Sequence, residues 1–282
     1  MCLGWSGLVI RMDDENTLAV ARCCMYEQYY PIGLNDFLKM DLNHIGELAK
    51  KAKFYNKPAI CDSVCTFSDT IKDVYLNIIC NCNLRCYHCC AGFDYQSDNP
   101  FCNCGHKSAE ELLKRKKCFF DLLYFLKGKH LEAINLDGSG EIFLYYNELI
   151  PWLMSLSQDD FKEIHFTTNG TLLNRKKLCL LKKLSEKTGV EYKINISIDG
   201  VTKETFETIR RGANFEHTLE VLSTIKELFG NNFYVFFTIK KPNIKEVDQV
   251  ENFFKDYNLY WSVDRFDPEC AKYLKEADKW DH

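Results

Sequence analysis

Several features are missing from this chain of 282 residues, and each absence excludes something. There is no basic excess: Lys and Arg total 36 against 40 for Asp and Glu, a net charge of -4. Nothing in that balance calls for a nucleic-acid partner. No apolar run approaches the ~18 residues that a membrane span requires. The N-terminal stretch MCLGWSGLVIRMDDEN lacks the basic start and long apolar segment of a secretory signal, which predicts a cytoplasmic protein. Internal repeats and low-complexity tracts are missing too. What remains is an ordinary globular balance, 46% hydrophobic and 27% charged. A chain of this length can bury roughly three quarters of its unfolded surface, enough for a substantial core.

Cysteine is abundant, and unevenly so. Of 15 cysteines, only Cys118, Cys179 and Cys270 lie beyond residue 104. Cys80, Cys82, Cys86, Cys89, Cys90, Cys102 and Cys104 crowd one stretch, and Cys2, Cys23, Cys24, Cys61 and Cys65 precede it. Disulfide scaffolds reach such density, but they are small and exported. A large chain with an odd count and no signal points instead to free thiols available for metal.

From about residue 73, short β-rich runs alternate with amphipathic helical stretches. Strands are expected over 73–79, 130–137, 163–168, 191–199, 232–240 and 259–263. Helices are expected over 108–127, 144–156, 175–188, 215–229 and 244–257, the first opened by Ser108 with Glu111 at capping-box spacing. Such alternation demands crossover connections, hence an α/β fold with a parallel sheet. Periodicity alone fits either an open doubly wound sheet or a partial barrel. Residues 1–72 read as a hairpin over 7–12 and 17–24 and a helix over 44–55. That is a small cysteine-rich domain with too little apolar mass to stand alone. Residues 266–282 form a tail.

The chemistry concentrates after the first parallel strand, at Cys82-Asn-Leu-Arg-Cys86-Tyr-His-Cys89. Three thiolates at spacings of four and three can ring one face of a four-iron cluster and leave the fourth iron open. Zinc is the competitor, since its structural sites also gather nearby Cys and His, but it normally takes paired CxxC knuckles, and the CxxxCxxC arrangement is not one. The loop begins at a strand's carboxyl end, where parallel α/β folds place their sites.

With that motif the sequence resembles the radical S-adenosylmethionine (radical SAM) superfamily, and the resemblance extends over residues 73–265. Leu136-Asp137-Gly138-Ser139-Gly140-Glu141 is similar to the family's Gly-Gly-Glu-Pro turn, with Ile142 in place of the proline. Thr168-Asn169-Gly170, Ser197-Ile198-Asp199-Gly200 and Ile209-Arg210-Arg211-Gly212 follow in family order, the first two at strand ends. The resemblance implies a partial (β/α)6 barrel holding a 4Fe-4S cluster on Cys82, Cys86 and Cys89 with S-adenosylmethionine on the open iron. It assigns the cofactor's ammonium to Glu141 and the backbone near Ser139 and Gly140. Arg210 and Ser197 are assigned its carboxylate, Asp199 its ribose or the local turn, and His88 a place near the adenine. Asn169 joins the same rim, although Asn-Gly is also ordinary turn chemistry. Bland rivals stand beside these roles: a helix-start charge for Glu141, helix caps for Ser197 and Asp199.

Cys2, one of Cys23 and Cys24, Cys61 and Cys65 resemble the SPASM or twitch extension that holds an auxiliary 4Fe-4S cluster, placed here before the barrel instead of after it. The resemblance implies an enzyme acting on a peptide or protein, supplied with electrons by a flavodoxin or ferredoxin. A small-molecule oxidation, epimerisation or rearrangement is the alternative within the same chemistry. A zinc or iron–sulfur binding module or electron carrier is the alternative without catalysis.

Overall fold

The computed structural model describes residues 7–12, 16–22, 29–52, 69–87, 89, 108–136, 140–263 and 268–273. In chain order come β1 (Gly7–Met12), β2 (Thr17–Ala21), β3 (Tyr30–Gly33), α1 (Leu34–Phe37), α2 (Leu42–Ala49), β4 (Asp73–Asn77) and β5 (Arg85–Cys86). They are followed by α3 (Ala109–Leu126), β6 (Leu131–Leu136), α4 (Tyr146–Met154), β7 (Phe161–Thr168), α5 (Arg175–Thr188), β8 (Glu191–Ser197) and α6 (Lys203–Ile209). The chain continues through β9 (Arg210–Arg211), α7 (Phe215–Phe229), β10 (Val235–Ile239), α8 (Val247–Phe253), β11 (Leu259–Val263) and α9 (Pro268–Ala271).

One sheet runs in the order β11-β10-β8-β7-β6-β4-β1-β2-β3. From β4 to β11 its strands are parallel and follow the chain without reversal. That order decides what periodicity left open. A doubly wound sheet reverses direction at a switch point. Here every crossover advances the same way, and right-handed crossovers that all advance one way put every helix on one face of the sheet. This is the winding of a (β/α) barrel, with an outer face under helices and an inner face free of them.

The burial pattern agrees. On β7 and β8, Ile164, Phe166, Tyr192, Ile194 and Ile196 are almost wholly buried. Their alternates Glu163, His165, Thr167, Lys193 and Ser197 keep partial exposure. Alternation of side chains along a strand makes these two opposite faces of the sheet.

Local signals explain the helix bounds. Ser108 accepts from the Glu111 amide at 3.1 Å and starts α3. Asn174 and Asn214 cap α5 and α7 through the Lys177 and His217 amides. Gly189, with φ +76°, ends α5 in the left-handed conformation. The last expected helix is divided, a 3-10 turn over Lys241–Glu246 followed by α8.

The expected hairpin over the first residues is present as β1 and β2. It is not set apart from the parallel strands: β1 pairs in parallel with β4 from Gly7↔Asp73 to Arg11↔Asn77. Leu8, Ile10, Leu18, Val20 and Ile45 therefore join one core with the helix-facing side chains of the barrel. Arg115 of α3 locks the junction, donating from Nη1 to the carbonyls of Met12 at 3.1 Å and Ile78 at 3.4 Å. Those are the carboxyl ends of β1 and β4, next to the first cysteines of the motif.

Candidate active site at the carboxyl ends of the strands

The Cys82 loop leaves β4 and is tied down twice. On its first limb, the Glu141 amide donates to the Asn81 carbonyl at 2.8 Å. Gly140 lies so close that an added Cβ would stand 2.5 Å from that oxygen. Only glycine allows this approach. On the second limb β5 pairs antiparallel with β9, Cys86 opposite Arg210, and the Tyr87 amide reaches the Ile209 carbonyl at 2.7 Å. The Leu84 amide points at Cys82 Sγ from 3.4 Å, and the Cys89 amide closes a turn onto the Cys86 carbonyl.

Burial pushes the Cys82 thiol up, and pushes that of Cys86 up to about 12, while the Arg210 charge pulls both the other way. Cys89 adds to the upward shift of both, which places the three sulfurs within electrostatic reach of one another. Among the described residues no three His, Cys, Asp or Glu side chains gather closely enough to hold a single metal ion. A cube-shaped cluster makes no such demand, because each thiolate takes its own corner iron.

Glu141 is 1% exposed. Its Oε1 accepts from Thr168 Oγ1 at 2.8 Å and the Phe143 amide at 3.1 Å, its Oε2 from the Asn169 amide at 2.8 Å. Burial raises its pKa, against the pull of those donors and of Arg210. The expected helix-start role is real, since Glu141 caps the 3-10 turn Ile142–Tyr145. A carboxylate offers about four lone-pair sites, and three are taken.

Asn169 turns the rim toward the cysteines. Its Nδ2 donates to Asn83 Oδ1 at 3.1 Å and lies 3.7 Å from Cys82 Sγ, while Asn83 Nδ2 donates to Thr171 Oγ1 at 2.7 Å. Asn83 and Thr171 are not singled out by the sequence. Their signals are position alone: Asn83 lies inside the Cys82–Cys86 interval, and Thr171 follows the Asn-Gly turn.

Beyond β8, Asp199 is fully buried. Its Oδ1 accepts from the Thr238 amide at 2.8 Å, and its Oδ2 stands 2.7 Å from Arg210 Nη2. Asn243 Nδ2 braces the Asp199 carbonyl at 3.0 Å. Thr202, not Ser197 or Asp199, caps α6, which removes the bland reading of both. Burial works against the charge of Arg210, the Asp199 carboxylate outweighs it, and the guanidinium pKa rises. The Arg210 Nε atom is buried without a hydrogen-bond partner among the described residues. Arg211 is exposed. Ser197 ends β8 on the inner face. His88 and Ser139 lie outside the described residues, as do Cys2, Cys23, Cys24, Cys61 and Cys65.

The sequence profile of the Radical SAM superfamily matches residues 76–254, which contain Cys82, Cys86, Cys89, Glu141, Asn169, Ser197, Asp199 and Arg210. The chain belongs to the radical SAM superfamily. Its cofactors are accordingly a 4Fe-4S cluster and S-adenosylmethionine, and the donor set fits them: three thiols on one tethered loop, and beside them a buried guanidinium with a spare donor. Among curated relatives, the chain is 31% identical over 157 residues to the antilisterial bacteriocin subtilosin biosynthesis protein AlbA of Bacillus subtilis, covering 55% of this chain and 30% of AlbA. It is 28% identical over 155 residues to GTP 3',8-cyclase of Alkaliphilus oremlandii, covering 55% of this chain and 43% of the cyclase. The radical SAM chain thus spans less than half the length of these two relatives. The solved structure of Streptococcus suis SuiB bound to S-adenosylmethionine aligns at 14% identity with a TM-score of 0.47, over 68% of this chain and 40% of SuiB. No helix among the described residues is long and apolar enough to cross a membrane.

Proposed function

We propose that this chain is a radical SAM enzyme that modifies a peptide. When bound, the cluster and S-adenosylmethionine supply a 5′-deoxyadenosyl radical that abstracts a hydrogen atom from the substrate. The protein's task is placement and exclusion of water. Cys82, Cys86 and Cys89 hold the cluster. Arg210 and Ser197 bind the methionine carboxylate, and the remaining lone pair of Glu141, with Gly140 and Ser139, takes the ammonium. His88 packs near the adenine, Asn169 lines the rim beside Cys82, and Asp199 fixes Arg210.

The observation that carries the peptide reading is the match to AlbA, named for the biosynthesis of a bacteriocin, at 31% identity. The matches to GTP 3',8-cyclases support a second reading, a small-molecule substrate. The reductant is a flavodoxin or ferredoxin, and the compartment is the cytoplasm, where free thiols persist.

Residues 1–72 carry the auxiliary cluster in this reading, residues 73–265 the barrel, and residues 266–282 the tail. Support comes from topology. The chain enters β1 at Gly7, leaves β2 at Ala21 and enters β4 at Asp73, and the pairings Gly7↔Asp73 and Val9↔Ala21 put all three points at one sheet edge. That end of the strands is opposite the one bearing the Cys82 loop.

The test is anaerobic. Reconstituted protein should release 5′-deoxyadenosine faster with a library of short linear peptides than alone, and no faster with GTP. The reverse pattern overturns the peptide reading, and replacing Cys82, Cys86 and Cys89 together by alanine should abolish all release. About four irons left in that triple variant support the auxiliary cluster; none, in a folded protein, removes it.

A further inference from the structure

One side chain of the rim, Asn169, is tied down more than its turn requires. An Asn-Gly turn is satisfied when the asparagine oxygen bonds the backbone two residues on, and Asn169 has that bond: the Thr171 amide donates to its Oδ1 at 3.0 Å. The same side chain is only 6% exposed and is bonded at its other end as well. Its Nδ2 donates to Asn83 Oδ1 at 3.1 Å and to Cys82 Sγ at 3.7 Å. The turn makes no use of either bond.

The network decides which end of each amide faces the sulfur. A backbone N–H can only donate, so the Asn169 atom that meets the Thr171 amide is the oxygen, and the end that meets Cys82 is the nitrogen. Thr171 Oγ1 gives its one proton to the same oxygen at 2.6 Å and therefore accepts from Asn83 Nδ2, at 2.7 Å. That turns the Asn83 oxygen toward Asn169. The three side chains close a ring, and one N–H of Asn169 is left over for Cys82. Flipping either amide would set two donors face to face.

The three sulfurs of the motif are therefore unlike. Cys82 Sγ receives two N–H groups, one from Asn169 Nδ2 and one from the Leu84 amide at 3.4 Å. Among the described residues no hydrogen-bond donor reaches Cys86 or Cys89 Sγ. Hydrogen bonds to sulfur are among the factors that set the potential of an iron–sulfur cluster. Groups outside the ligand set act in this way when they are themselves held in place, as Asn169 is.

We infer that Asn169 tunes the cluster: its Nδ2–H, aimed at Cys82 Sγ by the positioning residues Asn83 and Thr171, raises the reduction potential and makes Cys82 the electron-poor corner. The reductant, a flavodoxin or ferredoxin in the proposed function, is oxidised by one electron and the cluster is reduced by one. The added charge is shared by the sulfurs, and the amide, which keeps its proton, stabilises the share on Cys82. Because the bond strengthens as the sulfur gains charge, it favours the reduced state over the oxidised one. The inference rests on the proposed seat of the cluster at Cys82, Cys86 and Cys89.

Redox titration of the reconstituted full chain without S-adenosylmethionine, followed by the EPR signal of the reduced cluster, tests it. The signal of the protein with Cys82, Cys86 and Cys89 all replaced by alanine is subtracted, which removes any other cluster. Asn169→Ala should lower the ratio of reduced to oxidised cluster at a fixed potential about tenfold, which is ~59 mV in the midpoint of a one-electron couple. Asn83→Ala should lower it less, because Asn169 stays tied to the Thr171 amide. A second measurement holds even where a variant fails to bind iron. With asparagine labelled by ¹⁵N at the side-chain amide, pulsed EPR of the unaltered reduced protein should show a nitrogen coupling, and Asn169→Asp, equal in shape, should remove it. Absence of that coupling, or an unmoved midpoint in iron-loaded Asn169→Ala, overturns the inference. A triple-alanine variant that keeps the whole EPR signal overturns the seat of the cluster and the inference with it, so the two failures are distinguishable.

Discussion

Glu141 and Asp199 are both buried carboxylates just past the carboxyl ends of neighbouring parts of the sheet, and each belongs to one limb of the cysteine loop. They are stabilised in different ways. Glu141, on the first limb, is surrounded by uncharged donors: two backbone amides and a threonine hydroxyl. Asp199, on the second, faces the Arg210 guanidinium and one amide. Neutral donors leave the cost of burial visible as a raised Glu141 pKa. A cation makes the partners depend on each other, because removing either leaves an uncompensated buried charge. The first limb should therefore respond to pH and to shape, the second to loss of charge.

The largest expected effect is on the second limb. Arg210→Met removes the cation that faces the Asp199 carboxylate, and breaking a buried pair from one side costs about 3–5 kcal/mol. Urea unfolding of the full chain under anaerobic conditions measures it. Adding Asp199→Asn to that variant should restore a large part of the loss, since the charge that faced the guanidinium goes with it. A single variant as stable as the unaltered protein would erase the distinction between the limbs.

Shape comes next. Gly140→Ala puts a methyl 2.5 Å from the Asn81 carbonyl oxygen, a backbone atom that cannot swing aside. Overpacking of this kind costs about 1–3 kcal/mol. Because Asn81 precedes Cys82, the shift should also lower the iron bound per chain after reconstitution. Full iron with undiminished stability would mean that the first limb is not held by close approach.

The sequence carries much of this, for physical reasons that differ by element. The bounds of α5 and α7 are readable because amide side chains cap their starts, at Asn174 and Asn214, and glycines stop them, at Gly189 and Gly230. α6 is not legible: a helix of seven residues with only Phe206 and Ile209 buried has no periodicity to detect. The pairing of β1 with β4 is equally hidden, because alternation says which face of a strand is buried and nothing about its neighbour. At the site, spacing locates the cysteines and the strand-end motifs locate Glu141, Asn169, Asp199 and Arg210. Their contacts stay out of reach. The resemblance gives Glu141 to the cofactor and Asp199 to the cofactor's ribose or the local turn, whereas the structure shows Glu141 also holding Thr168 and Asn169, and Asp199 meeting Thr238 and Arg210.

A smaller effect, on pH, sharpens the contrast from the Glu141 side. Burial raises its pKa in the folded protein above its value in the unfolded chain. The stability that goes with its proton is thus fully present below the ordinary carboxylate range and is lost as pH rises through the raised folded value. Glu141→Gln cannot ionise, so the decline over that window should flatten. The difference in slope between the two proteins should reach at most about 1.4 kcal/mol per pH unit, the value of one proton. Equal slopes would mean that the neutral donors fully offset burial.

The smallest expected effect lies between the limbs, in the amide network that joins the loop to the end of β7. Asn83 bonds Thr171 and Asn169 through its side chain, and Asn169 in turn points its Nδ2 at Cys82 Sγ. Asn83→Ala deletes two hydrogen bonds at an exposed position, where water replaces the lost partners, so stability should fall by only about 0.5–1.5 kcal/mol. The change in the loop should exceed what that figure conveys, because Asn169 loses the acceptor that orients its Nδ2 toward the sulfur. The thiolate-to-iron absorption of the reconstituted protein should therefore shift, while the urea midpoint barely moves. Asn169→Ala should produce the same spectral shift with a larger stability loss, since it also frees the Thr171 amide and hydroxyl. If Asn83→Ala leaves the absorption untouched and Asn169→Ala does not, Cys82 is oriented by Asn169 alone, and the first limb needs only its backbone tether to Glu141.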